Sequence, residues 1–196
     1  MAVTEREILG LKAAFMKFRK ELGITNEDID FYITYEVVHS IQQDRVYRKG
    51  EMELIKKHLE QQFPEEKGFR VLGRIKSMTS ILGKLLKERT LSDVFGFKII
   101  VENEDDCYMA SHWLQMNFGL EEIDDRIANP RENGYRDIKL ILQLYDINFE
   151  VIVQSREMFF DSETKKEQRH STKYPWKYSS EMLELASAPE FRQIEL

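Results

Sequence analysis

The sequence lacks the features that mark membrane, secreted and disulfide-stabilised proteins. No apolar run approaches the ~20 residues that a membrane-spanning helix needs. The first residues lack the charged start, apolar stretch and cleavage site of a secretory signal. Cys107 is the single cysteine, so it forms no disulfide within the chain. We therefore predict a soluble protein of the reducing cytoplasm, with no membrane partner, in which Cys107 is a buried free thiol.

Charge of one sign is missing from two stretches of a chain whose formal net charge is −6. Residues 69–87 contain five lysines and arginines but no acidic residue, whereas residues 102–125 contain eight acidic residues but no lysine or arginine. Residues 165–177 hold five cations against one glutamate. The acidic total argues against bulk, nonspecific nucleic-acid binding. Local basic patches still provide places where phosphate groups bind.

The 196 residues fit one compact unit, since no internal repeat, low-complexity segment or linker rich in proline, glycine and serine interrupts them. The first third has helical periodicity. Apolar residues recur at helical spacing up to Gly23, which is predicted to end the first helix. Thr25, with Asp28 three residues later, predicts the start of a second helix. That helix is expected to run, with a break near Gly50, to about Phe63.

From residue 69 onward, strand patterns alternate with helical ones. Strands are predicted over residues 69–77, 95–101, 121–127, 138–145 and 149–155. Helices are predicted from Ser77 or Thr79 to Arg89, from Asn103 to Gly119, and from Arg156 and Ser179 onward. The last two strands form a hairpin across Asp146-Ile147-Asn148, with Glu150 and Gln154 on the face turned away from the core. The predicted class is α+β, with a mixed sheet of about five strands and flanking helices.

The cations of residues 69–87 gather where a strand is predicted to turn into a helix. Arg74 and Lys76 are expected to share one strand face, and Lys84 and Lys87 lie one turn apart on the helix. Helix N-terminal amides and long basic side chains together hold polyphosphates well. A solvated surface explains the same residues, although such a surface usually mixes both signs of charge. Both interpretations remain open, and the first predicts a triphosphate site.

Asp93 and Glu150 are candidate Mg²⁺ ligands beside such a site. Asp93 precedes an apolar strand, where for one residue an ordinary turn is the better explanation. Glu150 interrupts an apolar strand, and a half-buried glutamate is costly unless it is paired or coordinated to a metal. An ion pair with Lys139 on the neighbouring strand is the alternative. Mg²⁺ prefers hard oxygen ligands and usually shares them with substrate phosphates.

Residues 129–135, with the sequence Asn-Pro-Arg-Glu-Asn-Gly-Tyr, are predicted to form a loop, because Asn-Gly is a turn signal. The tyrosine at its end, Tyr135, has three interpretations. It is a core residue, a surface residue, or a platform on which a nucleobase stacks. Taken alone, this motif does not choose among them.

Four segments, in this order, resemble the synthetase domain of RelA/SpoT alarmone synthetases, including the small alarmone synthetases. They are residues 73–77 with Ser80, Ile81 and Lys84, residues 93–98, residues 129–130 with 133–135, and residues 149–151 with Met158. The ending Trp176-Lys177-Tyr178 is also similar to the family's. The resemblance implies a nucleotidyltransferase-like sheet. The implied organisation is a synthetase domain over residues 69–178, an N-terminal helical segment over 1–68 packed on it, and a C-terminal helical tail over 179–196.

The family's reaction moves the β,γ-pyrophosphate of ATP to the 3′-hydroxyl of GDP or GTP and releases AMP. By resemblance, ATP is bound by Arg74, Lys76, Ser77, Ser80, Lys84 and Lys87. Asp93 and Glu150 are implied to bind Mg²⁺, with Glu150 as the base that activates the acceptor hydroxyl. The acceptor is implied to contact Arg131, Asn133, Tyr135, Lys139 and Gln154, with Tyr135 stacking on its base. Cations and Mg²⁺ supply the charge neutralisation on which phosphoryl transfer depends.

The sequence departs from the family at the acceptor side. Asp137 and Lys139 stand where the family commonly has serine and histidine, and Ile152 and Gln154 replace a glutamine and an arginine. The loop's usual basic-proline step is here Arg131-Glu132. The donor is therefore inferred from more intact motifs than the acceptor.

We expect an ATP-dependent pyrophosphokinase that makes (p)ppGpp-like products from GDP or GTP. No His-Asp dipeptide occurs, so hydrolase activity is not expected. The Gly-Tyr-Arg-Asp step at residues 134–137 resembles toxic small synthetases, some of which pyrophosphorylate the 3′ end of tRNA. A toxin that modifies tRNA or makes adenosine analogues is therefore the alternative, and the basic tail at 165–177 suits it as well as it suits a solvated helix. A binding module with a decayed site is a third hypothesis, while a homo-oligomer and an antitoxin partner are both compatible with the sequence.

Overall fold

The computed structural model describes residues 3–88, 91, 93–164 and 175–196. Its helices are α1 (Glu5–Leu22), α2 (Asn26–Tyr32), α3 (Tyr35–Gln62), α4 (Met78–Glu88), α5 (Glu104–Asn117), α6 (Arg156–Thr164) and α7 (Ser180–Ser187). Its strands are β1 (Arg70–Ile75), β2 (Phe95–Val101), β3 (Gly119–Asp125), β4 (Ile138–Leu144), β5 (Ile147–Ser155) and β6 (Ile194–Glu195). Short 3₁₀ turns cover Glu65–Lys67 and Pro175–Tyr178. A search of the described helices for one with the length and apolar character to cross a membrane finds none.

The strands form a six-stranded mixed sheet in the order β3-β4-β5-β2-β1-β6. The β3–β4 and β4–β5 pairs are antiparallel, whereas β2 and β5 run parallel. A parallel pair requires a crossover connection, which here contains α5 and two further strands. The predicted α+β class and mixed sheet are confirmed. The sheet has one strand more than the expected five because Ile194–Glu195 adds a two-residue strand.

The described residues group into two compact units, the first drawn from residues 1–50, 75–91 and 169–195. Its core is formed by apolar side chains of α1, α2, α4 and α7, by Val38 of α3, and by residues outside these helices that include Trp176 and Phe191. Trp176 lies with its ring centroid 5.6 Å from that of Phe15, and both are buried. Burial of such large rings contributes to the hydrophobic stabilisation of this unit.

Local sequence signals set the first two helices. At α1, the Thr4 side chain accepts a hydrogen bond from the Glu7 amide while the Glu7 carboxylate accepts one from Thr4 N–H. The same capping box joins Thr25 and Asp28 at the start of α2. Gly23 ends α1 in the left-handed conformation, with φ 67°. The predicted helix end at Gly23 and helix start at Thr25 are both confirmed.

The predicted helix break near Gly50 is wrong. The break lies at Ile33–Thr34, and α3 then continues through Gly50 to Gln62. The Thr34 hydroxyl accepts a hydrogen bond from Val37 N–H at 3.3 Å, which provides the new helix with a cap. A single interior glycine costs a helix only about 1 kcal/mol relative to alanine, which the flanking turns of α3 outweigh.

The second unit comprises residues 51–74, 92–168 and 196 and contains the strands from β2 to β5. Edge-to-face ring contacts fill its core. Ring centroids are 5.7 Å apart between Phe97 and Phe149, 5.4 Å between Phe149 and Phe118, and 5.4 Å between Trp113 and Phe63. This cluster packs α5 against the sheet, on the face that the buried hairpin residues also line.

The predicted hairpin is confirmed, but its turn is shorter than expected. β4 ends at Leu144 and β5 begins at Ile147, so the turn is Tyr145–Asp146. Tyr145 adopts the left-handed conformation with φ 54°, which a two-residue hairpin turn requires. β3 likewise begins at Gly119, two residues earlier than predicted, because α5 already ends at Asn117.

Two glycine-to-alanine variants are expected to change stability in opposite directions. Gly50 has nothing within 4 Å of the position of an added Cβ, so Gly50→Ala should raise the free energy of unfolding by about 0.5–1 kcal/mol. At Gly83 the added Cβ would clash with Cη2 of the buried Trp176 ring. Gly83→Ala should therefore lower the free energy of unfolding by about 1–3 kcal/mol. Urea denaturation followed by circular dichroism measures both values, and shifts of the same sign would contradict the packing described for Trp176.

Cys107 is expected to be unreactive in the folded protein. Its side chain is fully buried, and burial together with Glu104 and Asp106 raises the pKa of the thiol to about 12. The thiolate needed for reaction is thus scarce below that pH, and the stability tied to the protonated thiol falls as pH rises toward 12. A disulfide reagent at pH 8 should label Cys107 only after urea unfolding. Rapid labelling of the native protein would show that the thiol is accessible.

Candidate functional site

Ser77 stands immediately before α4 and caps it. The Ser77 Oγ accepts a hydrogen bond from Ser80 N–H at 3.4 Å and donates to the Ser80 Oγ at 3.0 Å. The Met78 N–H donates to the Phe191 carbonyl at 2.7 Å. Two of the N–H groups that a helix leaves free at its start are therefore already used by the protein. The groups that remain available to a phosphate at this junction are therefore mainly serine hydroxyls and basic side chains. The sequence had predicted a larger part for the main-chain amides.

The predicted ATP-binding cations lie on β1, on α4 and between them. β1 ends at Ile75, so Lys76 belongs to the two-residue connection to α4 and does not share a strand face with Arg74 as expected. The strand ends early because α4 already begins at Met78. Arg74 is exposed on its strand, while Lys84 is half-buried and Lys87 exposed on α4.

Both candidate acidic residues are half-buried in the second unit. Asp93 lies in the turn that leads into β2, and Glu150 lies in the middle of β5. The strand register places Glu150 opposite Gly96 of β2 on one side and opposite Ile141 of β4 on the other. The parallel β2–β5 pair therefore sets the start of β2, which follows Asp93, alongside the strand that carries Glu150.

The residues present fit a Mg²⁺ ion that arrives with a polyphosphate. Among the described residues, no group of three or more histidine, cysteine, aspartate and glutamate side chains is arranged to hold a metal. Mg²⁺ does not need such a cage, since it is commonly held by one or two carboxylates plus phosphates and water. Beside Glu150, Gly96 has no side chain, and a Cβ there would lie 3.7 Å from the Glu150 carbonyl oxygen. Asp93 and Glu150 supply two carboxylates of the kind that this chemistry uses, and the contact that a Cβ would make at Gly96 is an ordinary van der Waals one.

Lys139 is held by a different glutamate from the one considered in the sequence. Its Nζ lies 2.9 Å from the Glu122 Oε1 of the adjacent strand β3. In the β4–β5 register, Lys139 stands opposite Ile152, whereas Glu150 stands opposite Ile141. The ion-pair partner of Lys139 in this fold is therefore Glu122 and not the Glu150 considered in the sequence.

Residues 131–135 form a tight turn that presents the predicted acceptor residues. Gly134 N–H donates to the Arg131 carbonyl at 2.7 Å, and Arg131 N–H donates to the Tyr135 carbonyl at 3.2 Å. The Asn133 Oδ1 accepts from Tyr135 N–H at 3.1 Å, and Gly134 has a left-handed φ of 74°. The Asn-Gly turn predicted here is confirmed, with Asn133 acting on the backbone of the turn itself.

Tyr135 belongs to a buried polar cluster that sequence reasoning did not find. Its hydroxyl donates to the carboxylate of Asp137, which is fully buried. Arg126 Nη1 lies 3.1 and 3.3 Å from the two Asp137 oxygens. Arg126 Nε also donates to the Asp124 Oδ2 at 2.7 Å. The only signal in the sequence was that Asp137 departs from the family pattern, and it gave no indication of Arg126 as the partner.

The cluster keeps the tyrosine protonated. Burial raises the pKa of the Tyr135 hydroxyl, and the negative charges of Asp137 and Glu150 raise it further. Burial likewise raises the pKa of the Asp137 carboxyl. The hydrogen bond from the Tyr135 hydroxyl and the charge of the Arg126 guanidinium lower that pKa and offset part of the effect. Tyr135 and Glu150 both belong to the second unit.

Gln154 is fully buried, although the alternation of β5 predicted it on the face turned away from the core. The chain at residues 135–137 covers it, and Gln154 Nε2 donates to the Arg136 carbonyl at 3.0 Å. Arg136 in turn is paired with Glu104, and with Glu157 at 3.7 Å. Gln154 thus contacts the backbone next to the turn that carries the predicted acceptor residues.

Part of the basic tail singled out in the sequence, residues 165–174, lies outside the described residues. Of the described remainder, Lys177 Nζ lies 5.4 Å from the centroid of the Trp176 ring. Trp176 itself is buried against α4, so it is a core residue of the first unit.

Comparison with known proteins identifies relatives for this region. A family model for the region found in RelA and SpoT proteins matches residues 73–179. Over 125 residues the chain is 30% identical to a Mycoplasma pneumoniae protein named a probable guanosine-3′,5′-bis(diphosphate) 3′-pyrophosphohydrolase, covering 60% of this chain and 17% of that protein. Over 100 residues it is 35% identical to a GTP pyrophosphokinase of Haemophilus influenzae, covering 47% and 14%. The chain thus spans less than a fifth of these relatives.

Solved structures share the fold. Small alarmone synthetase 1 from Bacillus subtilis, bound to its product pppGpp, superposes with a TM-score of 0.59 at 20% identity, covering 74% of this chain and 87% of that one. Small alarmone synthetase 2 from the same organism gives 0.55 at 21% identity, covering 76% and 89%. At such identities the likeness concerns the fold, and it agrees with the fold that the sequence motifs implied.

Two variants test the buried polar cluster by stability. Asp137→Asn removes the charge that offsets Arg126 and should lower the free energy of unfolding by about 3–5 kcal/mol. Tyr135→Phe removes one hydrogen bond to that carboxylate and should lower it by about 1.5–3 kcal/mol. Tyr145→Phe is the control, because Tyr145 is 89% exposed and should show no change. If urea denaturation gave all three variants the wild-type value, the cluster would not stabilise the folded protein.

Proposed function

We propose that this chain, which belongs to the RelA/SpoT family, transfers the β,γ-pyrophosphate of ATP to the 3′-hydroxyl of GDP or GTP and so makes (p)ppGpp-like alarmones. The single observation that carries the proposal is the extent of the family match. Residues 73–179 include every candidate donor, metal and acceptor residue named above. A cytoplasmic location, where these nucleotides are found, belongs to the same proposal.

The donor site is proposed at the β1–α4 junction. Arg74, Lys76, Lys84 and Lys87 supply positive charge for the triphosphate, and the hydroxyls of Ser77 and Ser80 stand together at the start of α4. The start of a helix and a cluster of cations both create a positive electrostatic potential, which favours the binding of anions. Asp93 and Glu150 would hold Mg²⁺, which supplies neutralisation of the charge that develops on the transferred phosphates.

Glu150 is the proposed general base. It accepts the proton of the acceptor 3′-hydroxyl while that oxygen bonds to the β-phosphorus of ATP. The bond between the β-phosphorus and the α,β-bridging oxygen breaks, and AMP leaves with that oxygen. Neighbouring strands leave Glu150 half-buried between Gly96 and Ile141 in the middle of β5. A carboxylate positioned within hydrogen-bond reach of the acceptor hydroxyl is what general-base catalysis requires.

Tyr135 is the proposed stacking platform for the acceptor base. Because its hydroxyl is fixed by Asp137, the ring has a set orientation before the acceptor arrives. A platform fixed in advance loses less conformational freedom on binding than a mobile one. Arg131, Asn133 and Lys139 complete the proposed acceptor side, and Gln154 supports its loop through the Arg136 carbonyl.

The 3′ end of tRNA is the second candidate acceptor, because the Gly-Tyr-Arg-Asp step at residues 134–137 resembles toxic small synthetases. Arg136 is paired with Glu104, and Lys139 with Glu122. These ion pairs reduce the positive charge that either acceptor's phosphates would meet, so they do not choose between the two acceptors. Synthesis without hydrolysis is proposed for either acceptor, since the chain contains no His-Asp dipeptide.

The test offers β,γ-labelled ATP and Mg²⁺ with GDP, GTP, adenine nucleotides and deacylated tRNA in parallel. We expect labelled guanosine tetra- or pentaphosphate together with AMP, and no product when the Mg²⁺ is chelated. Glu150→Gln should lower kcat by about 10²- to 10⁴-fold, the usual contribution of a general base. Glu60→Gln, at an exposed glutamate of α3, is the matched control and should keep wild-type activity.

If label appears only on tRNA, the acceptor is the 3′ end of tRNA and not GDP or GTP. Absence of label on every acceptor, from protein that circular dichroism shows to be folded, would overturn the proposed activity. Equal activity of Glu150→Gln and the wild type would overturn the role given to Glu150 alone.

A further inference from the structure

Arg45 is a buried cation that the proposed reaction does not use. It lies on α3 and is 1% exposed. Its partners are all neutral: Nη1 donates to the Gln42 Oε1 at 2.6 Å and to the Glu190 carbonyl at 2.8 Å, and Nη2 donates to the Arg192 carbonyl at 2.6 Å. Among the described residues no carboxylate pairs with it, and its Nε has no hydrogen-bond partner.

Burying the Arg45 charge costs desolvation free energy. A buried charge is ordinarily compensated by an opposite charge, and main-chain carbonyls compensate it only in part. Burial lowers the pKa of Arg45 to about 10, so it still carries its charge at neutral pH. A leucine or methionine at this position would fill the same space without the desolvation cost. What Arg45 provides, and an apolar side chain cannot, is a fork of donors that fixes two carbonyls at once.

The two carbonyls flank Phe191, and Phe191 touches the start of α4. The Phe191 side chain is fully buried in the first unit, and its N–H donates to the Ala188 carbonyl at 2.9 Å. Its own carbonyl accepts the N–H of Met78, the first residue of α4, at 2.7 Å. Arg45 therefore holds the residues on either side of the carbonyl that accepts the first N–H of α4.

The start of α4 carries the proposed ATP contacts. Ser77 precedes Met78 directly, and its hydroxyl is joined to that of Ser80 at 3.0 Å. A shift of the Phe191 carbonyl would release the Met78 N–H and change the position of both hydroxyls. Displacements of about 1 Å in a substrate-positioning group cost on the order of 10²-fold in catalysis.

We propose that Arg45 is a positioning residue for ATP, acting through the Glu190 and Arg192 carbonyls, the Phe191 carbonyl and the Met78 N–H on the Ser77–Ser80 pair. The inference rests on the proposed function, in which that pair contacts the ATP phosphates. It assigns Arg45 no contact with either substrate. The acceptor site should accordingly be unaffected by changes at this position.

The experiment compares Arg45→Met, Arg45→Lys and wild type by binding of the non-cleavable analogue α,β-methylene ATP with Mg²⁺, measured by isothermal titration calorimetry. We expect Arg45→Met to raise the Kd by roughly 10- to 100-fold. Arg45→Lys should recover part of the loss, since an ammonium group also donates to carbonyls. In steady-state assays the KM for ATP should rise in the same order, while the KM for the acceptor stays at the wild-type value.

Leu59→Val controls for a general loss of stability, because Leu59 is fully buried and lies on α3 about 21 Å along the helix from Arg45. Its Kd for the analogue should equal that of the wild type at a temperature where each variant is folded. A wild-type Kd for folded Arg45→Met would overturn the inference, as would an equal rise in the KM values for ATP and acceptor. If Arg45→Met does not fold, Arg45→Lys alone decides: an unchanged Kd overturns the proposal.

Failure of the proposed function gives a different result. In that case the wild type forms no pyrophosphorylated product with any acceptor, whereas binding of α,β-methylene ATP still distinguishes the Arg45 variants. A wild type that makes product, with Arg45 variants that bind the analogue normally, would overturn only the inference about Arg45.

Discussion

The parallel pairing of β2 with β5 is the interaction on which the second unit depends. It joins strands separated by a helix and two further strands, and it brings Gly96 opposite Glu150. Apolar residues on both strands are buried, with the Phe97 and Phe149 rings in edge-to-face contact. A slip of one residue in this register would turn those rings outward and Glu150 inward, so core packing and the position of the carboxylate are determined together.

Buried charge is used differently in the two units. In the second unit, Asp137 and Arg126 neutralise each other, and Tyr135 is attached to the pair through its hydroxyl. In the first unit, Arg45 has only neutral partners, the main-chain carbonyls of residues 190 and 192 and the amide of Gln42. In both arrangements, buried charged side chains occupy positions where apolar side chains would stabilise the core more. The hydrogen bonds of these charged side chains hold neighbouring groups in a defined geometry. Each acts next to a segment that the proposed reaction requires to be rigid.

The donor and acceptor sides of the proposed site differ in how their charges are satisfied. At the start of α4, hydroxyls and cations gather without acidic residues nearby in the sequence. On the acceptor side, Arg126, Arg136 and Lys139 each form an ion pair with an aspartate or glutamate. The sequence departures noted at Asp137 and Lys139 thus correspond to a region where this chain has built its own network of ion pairs.

Much of the fold and of the motif placement was predictable from the sequence, because those features depend on short-range chemistry. Capping boxes at Thr4 and Thr25, the left-handed Gly23 and the Asn-Gly turn are each determined within four residues. Alternating apolar residues likewise indicated the hairpin strands. The family motifs added the class of sheet, since they occur in one order along the chain.

Tertiary structure decided what depends on contacts between distant residues. The pairing of Lys139 with Glu122 and the burial of Gln154 both result from packing or register that no local pattern specifies. Arg126 lies 11 residues from Asp137, and Arg45 lies 145 residues from Glu190. The sequence by itself determined which groups are present and which local turns hold them. Only the folded chain decided which charges form pairs. A buried charge is desolvated, so it must be compensated by groups that lie near it in space, whatever their separation in the sequence.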